Sequence, residues 1–267
     1  MKSLVMCILA LAVALAPVEA TVIHTVMVED PGGTYAPFHG PIGTNLLTAG
    51  QEWSQALAGS GIIDVVVGFD PRIRTAQGAS TTSQVVGTAG PLRVVEPGAA
   101  SEIRTGVDPN GAEPDARITI GTAYLTNELF FGPGIVPNDK TDAHSVFLHE
   151  LGHIYAFSGL LNSTTGETNG VDISTFDQHV RFDGANFFFT GAAATALYKG
   201  DVPLTFGNYV HLGNGPGRPG QDLVPDLMNG VSFDLGRQYK ISALDLAIFN
   251  DVGVAIVPEP GTLVLVG

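Results

Sequence analysis

Basic residues and cysteine are scarce in this sequence. Lys and Arg number 12 against 26 Asp and Glu, a formal net charge of -14. Nothing in that balance could neutralise a run of phosphates, so no nucleic-acid partner is expected. The single cysteine, Cys7, stands at the very start of the chain. Disulfides and thiol chemistry therefore play no part in the remainder, and stability must come from a packed core and bound metal. Long apolar runs are scarce as well: residues 4–16 form one, but it is too short to span a bilayer and is followed by Pro17 and Glu19.

What is present describes a folded, turn-rich chain. Hydrophobic residues make up 45% of 267, enough to bury a core, while 34 Gly and 17 Pro favour turns and long loops over a helical bundle. Lys2, the apolar stretch and Val18-Glu19-Ala20 read as the basic region, core and small-x-small cleavage site of a signal peptide. Residues 1–20 are thus assigned to export, and the mature chain starts at Thr21.

The hydrophobic periodicity predicts strands at 21–29, 62–69, 85–95 and 116–123, and a helix at 44–60. The acidic stretch VDPNGAEPDA matches no calcium-loop spacing and reads as solvated turns. A helix capped by Asn138 or Thr141 is expected to run to about residue 158. Short helices are expected at 173–182 and 192–198. The final helix, 241–251, has Ser242 near its start and Gly253 at its end. This order predicts an α+β fold, with a sheet-bearing N-terminal half, a helix-and-loop C-terminal half, and the long helix where they meet.

That long helix carries His149-Glu150-Leu151-Gly152-His153, an HExxH motif. Residues i and i+4 share a helix face, so both imidazoles can point at one metal with Glu150 beside them. Zinc accepts such ligands and acidifies a water, from which Glu150 would take a proton and pass it to a leaving amine. Catalytic zinc takes a third protein ligand, and Glu167, Asp172, His179 and His211 are the candidates. His144 falls off the metal face, and His24 and His39 have no partner that the sequence reveals.

HELGHIYAFSG, followed much later by YVHLGNG and DLMNG, resembles the leishmanolysin-type metzincin metalloproteases. STFDQHV, FFFTGAAATALYKGDVPL and ISALDLAIFNDVG extend the likeness over roughly 141–253. The resemblance implies a metzincin-like fold with a mixed, twisted N-terminal sheet. It makes His149, His153 and His211 the zinc ligands, Glu150 the base, and Met228 the methionine beneath the metal. It also implies an edge strand that pairs with extended substrate, here expected at ARITIGTA. Two departures stand out. Gly159 excludes the compact metzincin spacing, and Ala156 replaces a usual glycine, which predicts a slightly longer helix. Gly230 stands where some members carry a tyrosine, so zinc alone is expected to stabilise the oxyanion.

VPEPGTL, starting at Val257, resembles the start of a PEP-CTERM sorting signal of Gram-negative exported proteins. It implies processing by sorting machinery at the membrane and release to the cell surface or extracellular matrix. The expected layout is a signal peptide (1–20), a metalloprotease domain (21–255) and a truncated sorting segment (256–267). The expected protein is a monomeric, secreted zinc endopeptidase acting on proteins or peptides. Its rivals are an exported surface or matrix protein with a non-catalytic zinc, and a gluzincin-type hydrolase using Glu167.

Overall fold

The computed structural model describes residues 21–257. Residues 1–20, expected to be a signal peptide, and residues 258–267, expected to belong to a sorting segment, lie outside the described residues. Strand β1 (Val22–Val28) buries alternate residues, and β2 (Gly61–Asp70), rich in β-branched side chains, pairs with it in parallel from Val22 opposite Gly61. Helix α1 (Ala36–Ala56) crosses between them. It begins well before residue 44. Pro37 falls in its first turn, where a missing N–H costs nothing, and Ile42 and Leu46 are already buried in phase with Ala49 and Trp53. Gly40, Pro41 and Gly43 hide that phase from a reading of the sequence.

Next come β3 (Ala76–Ser80), β4 (Ser83–Ala89) and β5 (Leu92–Pro97). The single strand expected at 85–95 is instead a hairpin that turns at Gly90, whose φ of 60° is open to glycine at no steric cost. Helix α2 (Gly98–Thr105) leads through the acidic loop to β6 (Ala116–Gly121), then α3 (Thr122–Asn127) and the short β7 (Leu129–Phe130) and β8 (Thr141–Asp142). The main sheet has the order β1-β2-β6-β3, parallel except for β3. ARITIGTA is therefore central, and AQGAS of β3 forms the edge. The mixed sheet with helices against it is α+β in class.

Helix α4 (Ala143–Tyr155) is capped by Asp142, whose carboxylate accepts from Ser145 N–H at 2.9 Å. It ends earlier than expected. Ala156 adopts φ −143° and ψ −44°, which takes the chain out of the helix without the positive φ that would demand glycine. Trp53 of α1 donates its indole N–H to Leu148 O at 3.0 Å, locking the two helices together.

The second half holds β9 (Asp172–Ser174), a 3-10 turn at Asp177–His179, β10 (Val180–Phe182), β11 (Phe187–Phe189), α5 (Ala192–Tyr198), β12 (Val202–Leu204) and α6 (Ala243–Asp251). No helix spans 173–182, because the Asp177 carboxylate captures the Ser174 N–H at 2.8 Å and offers the backbone an alternative to helical bonding. Helix α6 opens on a capping box between Ser242 and Asp245, as its sequence suggests. At the far end, Ile256 bridges Leu57, so the folded body includes residue 256.

Candidate metal centre

Three imidazoles meet at the mouth of a cleft of about 560 Å³. His149 and His153 project from one face of α4. His211 arrives from the loop after β12, where Leu212 bridges Leu204 on one side and Asn229 on the other. Leu212 N–H donates to Met228 O at 2.8 Å, and Thr205 N–H to His211 O at 2.9 Å. One short ladder therefore fixes both His211 and Met228. His153 Nε2 lies 3.0 Å from His149 Nε2 and 2.9 Å from His211 Nε2.

Backbone carbonyls decide what those nitrogens carry. His149 Nδ1 lies 2.7 Å from Leu227 O, His153 Nδ1 2.8 Å from Phe157 O, and His211 Nδ1 3.3 Å from Asn208 O. A carbonyl only accepts, so each Nδ1 carries a hydrogen, and in a neutral ring each Nε2 is then a lone pair. The site favours neutral rings. Burial, with repulsion from a protonated His153 added, pushes His149 down to about 3, burial pushes His153 down to about 4, and burial takes His211 well below the usual histidine range. Three lone pairs thus face one another with no proton between them, an arrangement that a cation relieves. A tetrahedral zinc holds its nitrogens about 3.3 Å apart, close to the spacing here. Protons begin to compete for such a site only well below the pH at which they would occupy exposed histidines.

The end of α4 serves the same purpose. Because the helix stops at Tyr155, Phe157 turns its carbonyl back to His153. Against the same helix, a Cβ on Gly152 would stand 2.6 Å from Met228 Sδ, so the motif glycine is what lets the fully buried methionine pack there. Phe233 sets its ring edge-on to His149 at 5.3 Å and stacks on Tyr239.

Glu150 is 4% exposed and lies under β3. Burial pushes its carboxyl up to about 8, against the opposing effect of the Gly78 backbone N–H. A Cβ on Gly78 would come within 2.6 Å of Glu150 O, so glycine permits the strand to sit on the helix. Thr75 to Ala79 line the cleft along the edge of β3 that has no strand partner among the described residues. Sequence reasoning missed this edge strand, since AQGAS has no apolar alternation. It also missed Tyr124 in the cleft wall, whose hydroxyl burial pushes up to about 12.

The other candidate ligands lie elsewhere. Glu167 is an exposed turn residue that accepts from Thr165 at 3.2 Å, Asp172 pairs with Arg93, and His179 packs against Phe189. His144 pairs with Glu52, His39 with Asp30 and His24 with the Tyr155 hydroxyl. At Gly230 a Cβ would fall 2.5 Å from Thr205 Oγ1 and 2.7 Å from His211 Cβ, so a side chain cannot be added without moving His211. Gly230→Ala is expected to weaken metal binding about 10–100-fold, the scale on which supporting residues act, with competition against a chromogenic chelator as the measurement. No family model, curated protein or solved structure matches the chain.

Proposed function

We propose that this chain is an exported zinc-dependent endopeptidase of the metzincin type. The observation that carries the reading is the convergence of three imidazole lone pairs next to a buried carboxyl, below an open strand edge. His149, His153 and His211 would hold the ion, and Met228 would support them from beneath. A zinc ion bound there supplies a Lewis acid that polarises a carbonyl and acidifies a water.

The remaining steps belong to the chain. The free edge of β3 supports an extended peptide by strand addition, presenting backbone N–H and C=O groups to it and leading it over Glu150. Glu150 takes the proton of the attacking water and returns it to the amine that leaves. The roles of signal and sorting segment follow from their sequences, as does sorting machinery as a partner. Among the described residues no helix is long and apolar enough to cross a membrane.

Metal removal tests the reading directly. Protein stripped with a chelator is expected to lose casein hydrolysis, and about one equivalent of zinc to restore it while magnesium does not. Undiminished hydrolysis by metal-free protein would sink the proposal. So would a zinc-loaded protein that cleaves no member of a peptide library.

A further inference from the structure

We propose that Glu102, Asp108 and Asp115 form a second cation site, separate from the three histidines, and that it takes calcium. Glu102 lies on α2, Asp108 in the acidic loop, and Asp115 at that loop's end just before β6. One carboxylate oxygen from each lies within 4.8 Å of the others. Calcium bonds of 2.3–2.6 Å put opposite ligands about 4.6–5.2 Å apart, so one ion reaches all three.

A second observation points to a ligand there. Glu102 and Asp115 are 3% and 2% exposed. Each has one oxygen served by a backbone N–H, from Ile62 at 2.7 Å and from Asp64 at 2.8 Å. The other oxygens, Glu102 Oε2 and Asp115 Oδ1, are buried with no donor, and so is Asn110 Oδ1 in the same loop. Buried carboxylate oxygens without a donor or counter-charge are costly. Among the described residues no Lys, Arg or His forms an ion pair with any of the three acids, and Arg104 on the same helix is held by Glu96. Burial, together with the neighbouring acids, raises the carboxyls of both Glu102 and Asp115.

The donor chemistry selects the ion. An all-oxygen set without nitrogen or sulfur suits a hard cation rather than zinc. Magnesium demands shorter bonds in a near-ideal octahedron and gives up water reluctantly, whereas calcium tolerates three unevenly placed carboxylates completed by solvent. Residues 107–113 are the largely exposed turns that the sequence suggests, and Asp115 at the end of the loop is buried. An ion here also reaches the cleft. The Asp115 carbonyl accepts from Thr81 N–H at 2.8 Å and Ser80 Oγ at 3.1 Å, at the end of β3. Binding would clamp α2 and the loop to the strand whose other edge lines the cleft.

The test uses the zinc-loaded full chain, freed of calcium on a chelating resin, with calcium chloride titrated calorimetrically and melting followed in parallel. One calcium is expected to bind with Kd about 10⁻⁴–10⁻³ M or tighter, raising Tm by about 5–10 °C at a hundredfold excess over Kd. Glu102→Gln and Asp115→Asn should each weaken binding at least tenfold and abolish the Tm rise, with zinc content unchanged. If a buried replacement does not fold, Asp108→Asn at the exposed position is expected to show the same tenfold loss. No response of the wild-type chain to millimolar calcium would overturn the proposal in favour of two carboxyls sharing a proton. Unchanged binding by the variants would overturn it in favour of diffuse binding to an acidic surface, and an equal response to magnesium would overturn the choice of calcium.

Discussion

Glu150→Gln is expected to lower kcat by about 10²–10⁴-fold, the range for removal of a positioned general base, while zinc stays bound at full stoichiometry. That loss corresponds to about 2.7–5.4 kcal/mol of transition-state stabilisation. The substitution is close to a pure test of proton transfer. Glutamine keeps the side-chain length and an oxygen for the Gly78 N–H, and none of the three imidazoles relies on Glu150 for its orientation. The fold should not suffer either. In the metal-free protein the native state holds the Glu150 proton up to about pH 8, whereas the unfolded chain releases it near 4.5. The native state therefore binds more protons across that window, and stability falls as pH rises through it. The glutamine variant lacks this slope, so its metal-free Tm should equal or exceed that of the wild type at neutral pH. Zinc-loaded Glu150→Gln that retains activity within tenfold of wild type would show that another group moves the proton.

How much of this was legible in the sequence depends on whether the signal was local. His149, Glu150 and His153 could be placed because helical spacing alone puts them together, and the cap of α6 because Ser242 and Asp245 stand at capping-box distance. His211 could be singled out only by resemblance. What brings it in is the pairing of Leu212 with both Leu204 and Asn229, contacts between segments with no common periodicity. The edge strand was invisible for a different reason. Its sequence is small and polar, and it is a strand because β6 pairs with it and because Gly78 lets it rest on α4. At Ala156 the logic of substitution failed: the expected extension assumed a positive φ, and the chain leaves the helix at negative φ instead. The exposed turns of the acidic loop were legible, but the burial of Asp115 beside Glu102 was not, because acid-rich sequence looks the same whether solvent or a buried partner receives it.

Asp177→Ala is expected to destabilise the protein by about 3–5 kcal/mol, the cost of leaving several buried donors without a charged acceptor. Asp177 is 6% exposed. Its Oδ2 accepts from Leu160 N–H and Ser174 N–H, each at 2.8 Å, and its Oδ1 accepts from the Tyr209 hydroxyl at 2.8 Å. The Tyr209 oxygen in turn accepts from Leu161 N–H at 2.7 Å. One carboxylate thus joins the chain leaving α4, strand β9 and the segment that delivers His211. Nothing nearby can replace it, because a Cβ on Gly159 would already stand 2.2 Å from the Tyr209 hydroxyl and 2.8 Å from Asp177 Oδ1. For a chain of this size the loss corresponds to a fall in Tm of roughly 6–20 °C. Asp177→Asn should recover part of the loss, since its amide oxygen can serve both backbone N–H groups while its NH2 faces the Tyr209 hydroxyl, which must then turn its own hydrogen elsewhere. Tyr209→Phe removes a single hydroxyl and should cost about 1–3 kcal/mol. Zinc affinity should fall with stability in the alanine variant, because Tyr209 lies two residues before His211. A denaturant titration in which Asp177→Ala loses less than about 1 kcal/mol would mean that these donors find water or other acceptors, and that the position of His211 rests on the Leu212 ladder alone.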